Sequence, residues 1–168
     1  MFLFLCNRSR KRLVLRKMAC FQGFPAMLFL RGRTRAESNY GDYEKDINLD
    51  IALLVGKQLK SYGYKVVYTR TSDSVSWSND NKENLQTRCD LAKEKECRLF
   101  VSIHVNSSEY EANGYEIYCD FNNKNTVKLS NSILKQLDKL DYSINRGLLD
   151  TNETPLYVIA KGIKKSLN

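Results

Sequence analysis

The side chains able to do chemistry in this chain are few: one histidine, five cysteines and a scatter of carboxylates. His104 ends the apolar run VSIH and is followed by Asn106, Ser107 and Ser108. It is therefore expected at the rim of a sheet, where core gives way to a polar loop. An imidazole there can be a hydrogen-bonded structural group or a metal ligand. Glu44 follows the turn Asn39–Tyr43 and opens a helical pattern. An acid at that place also gains about 0.3–1 kcal/mol from the helix dipole. The cysteines at 6, 20, 89, 97 and 119 are odd in number and form no Cys-x-x-Cys pair. Neither a zinc knuckle nor a disulfide framework follows from them, and unpaired, partly buried thiols are expected. A Cys–His dyad could use only His104, and no local signature supports one.

Positioning these groups falls to an alternation of helices and strands that begins at Tyr43. In EKDINLDIALLVGKQLKSYGY, Ile47, Ile51, Leu54, Val55, Gln58 and Leu59 follow the spacing of an amphipathic helix, which Gly63 closes. KVVYTR suits a short buried strand ending at Arg70, and TSDSVSWSNDNKEN is a polar loop. NLQTRCDLAKEKE predicts a second helix with Leu85, Cys89 and Ala92 on one face. RLFVSIHVN is the near-continuous apolar run of a parallel strand covered on both faces. Residues 114–119 alternate as another strand, TVKLSNSILKQLDKL predicts a third helix, and TPLYVIA a last strand. The whole predicts an α/β fold: a single, mostly parallel, twisted sheet with helices on both faces. Ligands in such sheets gather at the carboxyl ends of the strands.

The 168 residues are 42% hydrophobic and 27% charged, which excludes a disordered, collagen-like or membrane-bundle chain. The net charge of +8 is confined to one end. Residues 1–35 hold nine basic side chains and no acidic one, leaving 18 basic against 19 acidic for the rest. A basic leader, residues 1–36, is thus set apart from a near-neutral body, residues 37–168. The leader fits neither a spanning helix, which needs about 20 apolar residues, nor a secretory signal, whose charges precede its apolar stretch. It is expected to be an extension without ordered elements. Nucleic-acid binding through it, with Tyr and Phe for stacking, is opposed by the body's charge of −1, so no nucleic-acid partner is expected.

Taken in order, YEKDINLDIALLVGKQL, YTRTSD, NLQTRCDLAK, LFVSIHVNSS, GYEIY and INRGL resemble the zinc-dependent N-acetylmuramoyl-L-alanine amidases, the amidase_3 family. The resemblance runs from about Glu37 to about Ile159. It implies an α/β peptidoglycan hydrolase in which Zn²⁺-activated water cleaves the amide between N-acetylmuramic acid and L-alanine of the stem peptide. It also implies Glu44 and His104 as metal ligands, peptidoglycan or muropeptides as partner, and action outside the membrane at the cell wall. No transmembrane segment or clear signal peptide accompanies that expectation. Arg70, Asp73 and Arg88 match family positions, with surface pairing and capping as their alternative role.

Two departures limit what the resemblance carries over. The family's first ligand lies in a Gly-His-Gly-Gly turn, and residues 1–36 contain no histidine. Its catalytic glutamate lies in a P-x-x-L-x-E-x-G-F segment just after the strand matched by Leu156–Ile159, where this chain reads AKGIKKSLN. Glu153 precedes that strand, so no catalytic residue is assigned. The sheet is expected to be incomplete at both ends, the body truncated at its C-terminal end, zinc binding weak or absent, and turnover absent. Ends read in a shifted frame around an intact centre would account for both departures. Apolar faces such as Ile47, Ile51 and Leu54 are then partly uncovered. The alternative function is a catalytically inactive relative that only binds peptidoglycan.

Overall fold

The computed structural model describes residues 2–6, 25–30, 43–78, 80–105, 113–153 and 156. Among them run β1 (Phe2–Cys6), β2 (Pro25–Leu30), α1 (Glu44–Ser61), β3 (Lys65–Tyr68), α2 (Asn81–Glu94), β4 (Leu99–Val105), β5 (Gly114–Cys119), α3 (Lys124–Asp138) and β6 (Asn145–Asp150). The strands form one sheet in the order β3-β2-β4-β1-β5-β6. All neighbouring pairs are parallel except β1 with β5. The sheet is mostly parallel, as the alternation of elements predicts.

Strand β4 explains why both faces are covered. Its side chains alternate, so Val101 and Ile103 join Ala52 and Leu59 of α1, Tyr115 and Ile117 of β5, and Ile133, Leu134 and Leu137 of α3. Phe100 turns the other way, into a second cluster with Cys89 and Ala92 of α2 and Cys97. The helix ends follow local chemistry. Asp80 caps α2 by accepting from the Glu83 N–H at 2.9 Å, and Asn123 caps α3 by accepting from Thr126 at 3.1 Å. Gly63, at φ +85°, ends α1 with bonds from Gly63 to Lys60 O and from Tyr64 to Leu59 O.

Three expectations are corrected. Two apolar stretches of the leader, Phe2–Cys6 and Pro25–Leu30, are strands of the sheet. The buried stripe of α1 is Glu44, Asn48, Ala52, Gly56 and Leu59, while Leu54 and Gln58 are exposed. Small residues explain that rotation: Ala52 and Gly56 let the helix lie close on the sheet, with Gly56 against the Tyr68 ring. Ile47 and Ile51 are half-buried. Finally, β6 is a strand that the sequence pattern does not predict; its opening Asn145-Arg146-Gly147 lacks β-branched residues, and its register with β5 is irregular. The TPLYVIA strand lies outside the described residues except for Leu156, which packs on the α2 cluster.

Candidate metal and catalytic site

Glu44 is the first residue of α1, and His104 is the last but one of β4. Because β2 and β4 are parallel neighbours and α1 follows β2, the start of α1 meets the carboxyl end of β4. His104 Nδ1 lies 3.5 Å from Glu44 Oε1, and both side chains are buried. Each is supported from its own element. Asn48, one turn along α1 and fully buried, donates from Nδ2 to Glu44 Oε1 at 3.2 Å. Ser102, two residues back on the same face of β4, has its hydroxyl 2.9 Å from His104 Nε2. The result is a buried polar line, Asn48–Glu44–His104–Ser102. A carboxylate and an imidazole are both zinc-type donors. Among the described residues no group of three His, Cys, Asp or Glu comes together.

A second network fixes the start of α1. Tyr43 occupies the N-cap without a capping side-chain bond, so the first turn is held from outside. Arg70, buried just past the end of β3, donates to the Lys45 carbonyl, to Ser72 O at 3.1 Å and to Asp73 Oδ1 at 3.1 Å. Lys45 also pairs with Asp73 and, at 2.7 Å, with Asp46. Those bonds hold the Lys45 ammonium above its ordinary value, Asp46 contributing most, and hold the Asp73 carboxyl below its own through Lys45. Arg88 is likewise buried, with its guanidinium 5.2 Å from the centre of the Trp77 ring. Arg70 and Arg88 are thus interior groups rather than surface pairs.

Other candidates fall away. Cys89, Cys97 and Cys119 are buried free thiols whose pKa values burial pushes up, the opposite of an activated nucleophile. Cys6 and Cys20 have no described side chains, and Asn106, Ser107 and Ser108 lie outside the described residues. Glu153 is exposed in the turn after β6. Sequence reasoning missed Asn48 and Ser102. Spacing offered a signal for both: Asn48 is one helical turn from Glu44, and Ser102 is one strand repeat from His104.

Comparison with known proteins bears on the family and the fold. The family model for Amidase_3, N-acetylmuramoyl-L-alanine amidase, matches residues 31–166. The chain is 36% identical over 121 residues to the uncharacterised protein YqiI of Bacillus subtilis, covering 71% of this chain and 54% of YqiI. It is 35% identical over 100 residues to the N-acetylmuramoyl-L-alanine amidase LytC of the same organism, covering 58% of this chain and 19% of LytC. The CwlD amidase of Clostridioides difficile, solved in complex with the GerS lipoprotein, superposes with a TM-score of 0.71 at 26% identity, covering 82% of this chain and 76% of that one. The chain spans about half or less of the curated relatives it matches. With a family match over most of its length and an α/β fold shared with a solved amidase, this chain belongs to the Amidase_3 family of N-acetylmuramoyl-L-alanine amidases.

Proposed function

We propose that this chain acts on peptidoglycan at the cell wall as an N-acetylmuramoyl-L-alanine amidase domain, cutting the amide between N-acetylmuramic acid and the L-alanine of the stem peptide. The observation that carries the reading is the buried Glu44–His104 pair at the carboxyl end of β4, with 3.5 Å between Oε1 and Nδ1. Two donors held at 2.0–2.2 Å by a tetrahedral zinc stand roughly 3.4 Å apart, so the pair fits two positions of such a centre. Glu44 and His104 are the residues that would hold it. Bound zinc supplies a water of lowered pKa and polarises the amide carbonyl.

This chain's own residues do the rest of the positioning. Asn48 fixes the Glu44 carboxylate, Ser102 fixes the imidazole, and Arg70 anchors the helix turn from which Glu44 projects. Such outer contacts orient metal ligands and commonly govern affinity by ten- to hundredfold. A second reading, binding of peptidoglycan without cleavage, is favoured by the donor set: His104 is the one histidine of the chain, and no third donor joins it among the described residues.

Muropeptides incubated with the chain and Zn²⁺ distinguish the two. Release of the L-alanyl peptide, seen by mass spectrometry and lost with a chelator or in Glu44→Gln, supports the amidase. Binding by calorimetry without release supports the second reading. Neither release nor binding overturns both.

A further inference from the structure

One ion pair on the histidine face of the sheet has no part in the Glu44–His104 site. Glu116 of β5 and His104 of β4 both register with Phe4 of the intervening β1, so they occupy one cross-strand row and point to one face. Two strand spacings separate their backbones by about 9.5 Å. Glu116 is buried, and a buried carboxylate requires partners. Arg146 of β6 forms an ion pair with it, Nε to Oε2 at 3.2 Å, and the Tyr118 hydroxyl lies 3.4 Å from its Oε1. The Arg146 side chain is 46% exposed.

The path to that position is built into the backbone. Gly114 sits at φ +135°, and a Cβ there would lie 2.8 Å from Arg146 Cδ and 2.7 Å from the Ile144 carbonyl. The missing side chain is what lets the arginine stem cross β5 to reach Glu116. Once there, the guanidinium faces Glu116 with Nε, one nitrogen of its five-donor fork. Neutralising Glu116 needs only a point charge, which a lysine would supply. A planar fork with spare donors matches a second carboxylate.

We propose that Arg146, oriented by Glu116, binds a carboxylate of the substrate's peptide a few residues beyond the amide that is cut. The inference rests on the amidase reading and deepens it. An extended peptide advances 3.3–3.6 Å per residue, so the row distance corresponds to two or three residues between the Glu44–His104 site and the carboxylate. The specificity that follows is for an acidic peptide over its amidated form.

The test compares an N-acetylmuramoyl-L-alanyl peptide ending in a free carboxylate with the same peptide ending in a carboxamide, by calorimetry on the full chain. The unaltered chain should bind the carboxylate about tenfold more tightly. Arg146→Gln should abolish that preference, and Arg146→Lys should keep part of it. The double variant Arg146→Gln with Glu116→Gln, which leaves no buried carboxylate bare, should also show none. Equal affinity for the two peptides in the unaltered chain, or a preference that survives Arg146→Gln, overturns the role of Arg146 and leaves the amidase reading standing. Binding of neither peptide overturns both.

Discussion

Gly56 is where the closeness of α1 to the sheet can be measured. In an open helix, replacing Gly by Ala stabilises by about 0.8–1.0 kcal/mol. Here the added Cβ would lie 2.1 Å from Tyr68 Oη and 2.5 Å from Cζ. The Lys60 ammonium, 4.7 Å from the centre of that ring, holds it in place. Forcing an extra carbon into a packed contact costs about 1–3 kcal/mol. The overpacking outweighs the propensity, and Gly56→Ala should destabilise the protein by up to about 2 kcal/mol. At about 2–4 °C per kcal/mol for a chain this size, Tm should fall by several degrees, followed by circular dichroism. With Tyr68→Ala in the background the clash is gone, and the same substitution should stabilise by about 1 kcal/mol. Equal gains in both backgrounds, agreeing within about 0.5 kcal/mol, would refute the close approach that brings Glu44 to His104.

Four further outcomes are expected. Ile103→Ala, at a side chain packed between α1 and α3, should cost about 2–5 kcal/mol in urea unfolding; a loss under about 1 kcal/mol would mean that the core there collapses freely. Glu96 ends α2 at φ +50°, where its bonds to Lys93 O and from Cys97 to Ala92 O repeat the Gly63 pattern, so Glu96→Gly should raise stability by about 0.5–1 kcal/mol. Burial pushes Tyr142 up to about 12, against about 10 in the unfolded chain. Its contribution is whole below pH 10 and is lost as pH rises towards 12, so in folded protein tyrosinate absorbance from Tyr142 should appear only near pH 12, and ionisation near pH 10 in folded protein would contradict this. Arg70→Met cuts the ties to Lys45 O, Ser72 O and Asp73 and should cost about 1–3 kcal/mol by thermal melting; an unchanged Tm would leave the start of α1 without its anchor.

The parts of the fold readable from sequence are those whose local pattern and tertiary role coincide. β4 is apolar along its length because both of its faces are covered, and α2 buries Cys89 and Ala92 of the face its spacing predicts, with Leu85 half-buried. In α1 the two part company. Its inward stripe begins with Glu44 and Asn48, polar residues buried because they pair with each other and with the histidine. Hydrophobic periodicity cannot see such a stripe and selects Leu54 and Gln58 instead. β1 and β2 escape notice because arginine-rich flanks surround short apolar runs, and only partners about 100 and 40–75 residues further along the chain make strands of them. The Glu44–His104 pair is legible in the sequence only through family motifs. Their chemistry alone leaves a capping acid and a structural histidine equally open, and only the fold brings them within 3.5 Å.

The placement of β1 has a kinetic consequence. Among the described residues no pairing joins β4 directly to β5; there the ladder of β3, β2 and β4 meets that of β5 and β6 only through Phe2–Cys6. Among the described strands β1 makes the pairings of longest sequence separation, since Phe2 must find both Ser102 and Tyr118. Loop closure over such separations is entropically slow. During synthesis β1 is made before either partner and has to wait for both; until it pairs, the facing edges of β4 and β5 stay open, and open edges are where chains pair with the wrong neighbour. For this protein, the speed of that one insertion sets how long the edges of β4 and β5 stay exposed.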